Sequence, residues 1–171
     1  MMVDLNFQTP ENICRYMASL IPKMDKVEMV ILEPTKGKGN LNEAIHNEMF
    51  RRGGLYKVVA PDNFYDLDKE EKFDCILMNP PFSPMKKGYE ILYDCMTKTN
   101  SIIALMPYLT IINGEMRTYD IMNFGLKSIT HLPRSVFKGS RVQTCILEML
   151  RGWKDAKCHT YFQTLPSQLD R

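Results

Sequence analysis

The chain is 171 residues long, 19.9 kDa, 44% hydrophobic and 25% charged, which suits one domain over residues 1–171 with a sizeable core. Lys and Arg number 22 against 20 Asp and Glu, a net charge of +2, so any nucleic-acid partner must be argued from local patches. No apolar run approaches the ~18 residues of a membrane span, and MMVDLNFQTP lacks the basic-then-apolar order of a secretory signal; the expectation is a cytoplasmic protein with no membrane partner.

In chain order, Pro10-Glu11-Asn12 opens a helix with Ile13, Met17 and Leu20 on one face, Thr9 as its N-cap and an end near Pro22. Val27 to Leu32 reads as a buried strand stopping at Glu33-Pro34, followed by the turn Thr35-Lys36-Gly37-Lys38-Gly39. Leu41 to Arg52 is a helix that closes at Gly53-Gly54. Strand Leu55 to Ala60, the loop through Asp62, Asn63 and Phe64, and strand Phe73 to Met78 come next. The two prolines of Asn79-Pro80-Pro81-Phe82 forbid continuation of that last strand.

Tyr89 to Thr97 is expected to be helical, Ser101 to Met106 a strand ending at Pro107, and the surroundings of Glu115 to Asn123 a helix. Leu126 to Leu132 and Val142 to Leu150 close the chain as strands, suited to an antiparallel hairpin at one edge. The tail from Gly152 carries the only Trp, Trp153, with Tyr161 and Phe162, and suits an added edge strand. Alternating strands and helices predict an α/β fold with a doubly wound, mainly parallel sheet.

In such a sheet, ligands bind beyond the carboxyl ends of the strands. Two strand ends carry unusual residues. In EPTKGKGN, residues 33–40, the glycines let backbone approach a ligand and the following helix N-terminus favours an anion; a lone Gly-x-Gly also serves as a plain tight turn. No Gly-Lys-Ser/Thr follows at P-loop spacing.

MNPPF, residues 78–82, is the sharper signal. An amine conjugated to an aromatic ring is a poor nucleophile because its lone pair is delocalised. The Asn79 amide oxygen and the Pro80 carbonyl could accept its two protons and stabilise positive charge developing on nitrogen, with Phe82 stacked on the ring. Read structurally, Asn79 merely starts a turn and Phe82 is core.

His46, His131 and His159 are too dispersed for a ligand set, and Cys14, Cys75, Cys95, Cys145 and Cys158 form no CxxC pair, so no metal site is expected. The basic residues Lys86, Lys87, Arg117, Arg134, Lys138 and Arg141 are expected in loops after strand ends, where they could track phosphates.

Taken in order, FQTPENICRYM, LEPTKGKGNL, FDCILMNPPF and LPRSVFKGSRVQTCILEML resemble the motifs of the S-adenosylmethionine-dependent N6-adenine DNA methyltransferases. The Thr-Pro segment ahead of the cofactor motif is similar to the gamma arrangement. The resemblance implies a Rossmann-like methyltransferase fold, S-adenosyl-L-methionine as cofactor, DNA as partner, and Asn79, Pro80, Pro81 and Phe82 as catalytic residues. It further implies that Thr9 and Pro10 hold the methionine part and that Glu33, Pro34, Gly37 and Gly39 line the cofactor. Asp62 would meet the adenine amine, with Asn63 or Phe64 flanking the ring.

Against the family pattern, only Gly54 to Pro61 separates the second helix from Asp62, so one β-α unit is expected to be missing. Lys36 and Lys38 stand in the glycine loop, and are expected to face solvent. Only 21 residues follow Leu150, so sequence selectivity is expected to be weak or supplied by another chain, a separate recognition subunit or a homodimer. The alternatives are methylation of a protein glutamine amide or an RNA base amine, and a partner-dependent, inactive cofactor-binding subunit.

Overall fold

The computed structural model describes residues 8–137, 140–154 and 159–162. Its helices are α1 (Glu11–Ser19), α2 (Asn40–Arg52), α3 (Met85–Lys98), α4 (Leu109–Ile112) and α5 (Glu115–Phe124). Its strands are β1 (Glu28–Leu32), β2 (Leu55–Val59), β3 (Cys75–Met78), β4 (Ser101–Pro107), β5 (Leu126–His131), β6 (Thr144–Leu150) and β7 (His159–Phe162). They form one sheet of order β2-β1-β3-β4-β6-β5-β7.

Strands β2, β1, β3 and β4 are parallel, β6 is antiparallel to β4 and β5, and β7 runs parallel to β5. The chain leaves β1 for β2 on one side and returns to β3 and β4 on the other. The crevice between β1 and β3 is therefore the point where the winding reverses, the usual ligand position of a doubly wound sheet.

Parallel strands covered on both faces should be apolar at every position, and β3 and β4 are buried throughout. Alternate residues supply two cores. Ile31, Cys75, Leu77, Ile103 and Leu105 pack with Ile13 and Met17 of α1 and Ile45 of α2. Leu32, Ile76, Met78, Ile102 and Ala104 pack with Leu92 of α3 and Ile121 and Phe124 of α5.

Between β2 and β3 the only regular piece among the described residues is the 3-10 turn Phe64–Asp66, so the sheet stops at β2 and is one β-α unit short. Four boundaries differ from expectation. The closing hairpin is not at the edge, because β6 inserts between β4 and β5 and β7 takes the outer place. Pro10, not Thr9, is the α1 N-cap, with no side-chain cap hydrogen bond. Helix α3 starts at Met85 rather than Tyr89, directly after Pro84. The short α4 was not anticipated: four residues carry too little periodicity to register.

Candidate active site

At the carboxyl end of β1 the strand stops because Pro34 has no N–H to offer a ladder. Glu33 still donates its own N–H to the Val59 carbonyl at 2.9 Å. Gly37 (φ 51°) and Gly39 (φ 94°) then take left-handed conformations, which side chains with a Cβ resist. Gly39 caps α2 without a side-chain hydrogen bond, and a Cβ there would meet nothing within 4 Å. The space on the Cβ side of Gly39, at the positive end of α2, is thus open.

The segment before α1 lies against this turn. Lys38 N donates to Gln8 Oε1 at 3.1 Å, and Asn40 Nδ2 donates to the Thr9 carbonyl at 3.1 Å.

Glu33 is 0% exposed. Its Oε1 accepts from Thr35 N at 2.8 Å and Thr35 Oγ1 at 3.0 Å, whereas buried Oε2 has no partner among the described residues. Burial pushes its acid up to about 7, only partly offset by the Thr35 hydrogen bonds. A half-satisfied buried carboxylate is costly in isolation, and a ligand that donates to Oε2 or brings positive charge would remove that cost.

Asn79 is tied to the same loop. Its backbone N donates to Thr35 Oγ1 at 2.9 Å, and its Nδ2 donates to Thr9 Oγ1 at 2.5 Å. With Nδ2 directed at Thr9, the amide oxygen is left to accept, and among the described residues it takes no hydrogen bond. Pro80 is buried and Pro81 half-buried. A Cβ on Gly88 would stand 3.0 Å from the Pro81 carbonyl and 3.6 Å from Pro80 Cγ, so α3 braces this rigid loop at close range. Phe82 is partly buried against the α1–α2 core.

Thr9, Pro10, Glu33, Pro34, Gly37, Gly39, Asn79 and Pro80 therefore lie on adjoining segments around one crevice. Asp62 and Asn63 lie in the loop after β2, at its outer side. Lys36 is solvent-exposed, as expected, and reaches Asp62 on the next loop at 3.4 Å, where the Asp62 side chain is 98% exposed. Asn63 uses its amide locally, accepting from Tyr65 N at 3.2 Å and donating to Asp66 Oδ1 at 3.1 Å. Phe64 is core.

Four of the basic residues differ from expectation: Lys86 and Lys87 are on α3, which begins earlier than the periodicity suggested, Arg117 is on α5 and Arg134 is in a 3-10 turn, whereas Arg141 is in a loop as expected. Lys86 pairs with Glu90 at 3.7 Å, and Arg117 lies over the Tyr89 ring at 3.6 Å. Lys138, Cys158 and the side chains of Tyr161 and Phe162 lie outside the described residues. Cys14, Cys75, Cys95 and Cys145 are buried free thiols, and burial pushes Cys14, Cys75 and Cys145 up to about 12, far from a reactive thiolate.

Two grooves lie elsewhere. One of about 810 Å³ runs beside Tyr65, Tyr89, Tyr93 and Arg117, and one of about 610 Å³ beside Lys26, Glu48 and Arg52. The crevice is singled out by its chemistry. Sequence reasoning missed Thr35, whose hydroxyl joins Glu33 to Asn79, and Asn40, which holds Thr9; the only signal was their place within the glycine motif.

The sequence matches no protein-family model and no curated protein, whereas solved structures resemble the fold closely. A Vibrio vulnificus YJ016 protein assigned as the modification subunit of a type I restriction enzyme superposes with a TM-score of 0.74 at 17% identity, over 94% of this chain and 47% of its own. A Listeria monocytogenes protein assigned as a class I S-adenosylmethionine-dependent methyltransferase gives 0.72 at 15% identity, over 99% and 71%. The methyltransferase subunit of a type I restriction-modification system from Streptococcus thermophilus gives 0.68 at 15% identity, over 92% and 47%. The chain has the Rossmann-like fold of S-adenosylmethionine-dependent methyltransferases, and spans about half the length of the two restriction-modification subunits.

Proposed function

We propose that this chain transfers the methyl group of S-adenosyl-L-methionine to the N6 amine of adenine in DNA. The observation that carries the reading is the Asn79 amide, fixed through Nδ2 to Thr9 with its oxygen left to accept, on the same hydrogen-bonded loop as Glu33. The orphaned Glu33 Oε2, the open α2 N-terminus and the left-handed glycines fit a ligand bearing both cationic and anionic groups. Pro10, Glu33, Pro34, Gly37 and Gly39 would hold it, with Asp62 and Asn63 at its nucleoside end. When bound, S-adenosyl-L-methionine supplies a methyl group activated by its sulfonium.

The protein's own contribution is to orient and polarise the amine. Asn79 Oδ1 and the Pro80 carbonyl accept hydrogen bonds from its two N–H groups, drawing the nitrogen out of conjugation and stabilising the charge it gains; one N–H proton passes to solvent as the new N–C bond replaces the sulfonium S–C bond. Two consecutive prolines and the close packing of Gly88 keep these acceptors from moving. Phe82 borders the base. A base in duplex DNA must leave its stack to reach Asn79. No thiol takes part, so no covalent enzyme intermediate forms.

The solved structures it resembles include subunits of type I restriction-modification systems, which favours a separate recognition subunit as a second partner. Mass spectrometry of nucleosides, after incubation of the protein and S-adenosyl-L-methionine with unmethylated DNA and with RNA in parallel, tests the reading. N6-methyladenine in DNA is expected. Methyl found only in RNA overturns the substrate, and none in either overturns the activity of the isolated chain.

A further inference from the structure

We propose that Thr9 is the positioning residue of Asn79: its hydroxyl holds the carboxamide in the one orientation that aims the oxygen at the substrate amine. The proposal rests on the methyl-transfer reading above, and gives Thr9 a duty different from holding the methionine part of the cofactor.

A free asparagine amide flips readily, and its two faces are chemically opposite: the oxygen attracts an amine, the NH2 repels one. Asn79 N, held by Thr35 Oγ1 at 2.9 Å, fixes the main chain and not this rotation. In the structure this rotation is held by the hydrogen bond in which Thr9 Oγ1 accepts from Nδ2 at 2.5 Å; the hydroxyl could also donate to a flipped amide, and it is the substrate amine, repelled by the NH2 of that form, that disfavours the flip.

Thr9 is itself immobilised. It is 4% exposed, and its carbonyl accepts from Asn40 Nδ2 at 3.1 Å and from Cys14 Sγ at 3.5 Å. Asn40 opens α2 and Cys14 sits within α1, so the Thr9 main chain, from which the hydroxyl projects, is held by both helices of one core. Thr9 stands one residue before the Pro10 N-cap of α1, and its hydroxyl bonds Asn79 rather than the helix.

Three variants test this on the full chain. In a 15N correlation spectrum, the Asn79 side-chain amide is identified by its loss in Asn79→Asp. One of its protons should stand apart from exposed amides in wild type and Thr9→Ser, and join them in Thr9→Val. In methyl-transfer kinetics on DNA, Thr9→Val should lower kcat by roughly tenfold or more while KM for S-adenosyl-L-methionine stays within about twofold, and Thr9→Ser should restore most of kcat.

An Asn79 amide signal identical in wild type and Thr9→Val overturns the proposal. So does a Thr9→Val variant with raised cofactor KM and unchanged kcat, which would return the hydroxyl to the cofactor. A wild-type chain that methylates no DNA overturns the reaction itself, and the amide spectrum tells that failure apart from a failure of the Thr9 contact.

Discussion

The two ends of the sheet treat polar groups in opposite ways. At the amino ends of the parallel strands each prominent charge has a structural partner. Lys26 grips both Asp74 oxygens at 2.7 Å, while Asp74 also accepts from Val30 N at 2.7 Å. Arg52 bonds Glu48 at 2.7 Å and the Ile21 carbonyl at 2.8 Å. Buried Lys98 donates to the Asp68 and Lys69 carbonyls at 2.6 and 3.0 Å. At the carboxyl ends, Glu33 keeps one oxygen without a partner among the described residues, and burial pushes its acid up to about 7. One end uses its polar groups to hold the sheet together; at the other, the proposed function reserves an unpaired one for a ligand.

The largest effect that would sharpen this contrast is loss of turnover without loss of fold. Asn79→Ala should lower methyl transfer by about 100-fold or more, with thermal stability near wild type and cofactor affinity within about twofold. Equal loss of cofactor binding and turnover would break the assignment of Asn79 to the substrate.

Next in size is a pH effect from Glu33. Its folded-state acid, near 7, lies above the usual 4.5, so between those values the native chain binds more protons than the unfolded one. The stability it contributes is complete below about pH 4.5 and falls as pH rises through 7. Denaturant titrations should show the ligand-free wild type losing stability across this window relative to Glu33→Gln, by an amount on the order of 3 kcal/mol. Parallel pH profiles for the two would place the buried carboxyl elsewhere. The same ionisation predicts that cofactor affinity rises from pH 6 to 8, since the ligand must stabilise the carboxylate.

At the other end of the sheet, Asp74→Ala removes the Lys26 pair and the acceptor of Val30 N. A loss of about 1–3 kcal/mol is expected in chemical denaturation, with cofactor affinity unchanged below the transition. A specific loss of affinity would contradict the division between the two ends. Smallest is Lys36→Ala: its 3.4 Å contact with fully exposed Asp62 should change stability by no more than about 0.5 kcal/mol.

The sequence displays those features that have a local cause. Two prolines after Asn79 stop a strand wherever they occur, and Gly37 and Gly39 mark a left-handed turn without knowledge of the rest of the fold. The apolar runs of β3 and β4 state that both faces are covered. The contact from Thr9 to Asn79 spans 70 residues, and the Thr35 hydroxyl reaches Asn79 across 44; neither is written in spacing. The closing hairpin was legible as a pair, but its insertion beside β4 depends on the register of Ser101 with Leu150, which is likewise non-local. Lys36 is exposed as the sequence indicated, but its contact with Asp62 on another loop is not written in local spacing.

Calorimetric titration of S-adenosyl-L-methionine into wild type, Glu33→Ala and Asn79→Ala most directly tests whether the crevice between β1 and β3 is the cofactor site. The account predicts saturable binding to wild type, affinity lowered by roughly tenfold or more in Glu33→Ala, and near wild-type affinity in Asn79→Ala. Absence of saturable binding to wild type, or an affinity untouched by Glu33→Ala, would contradict it.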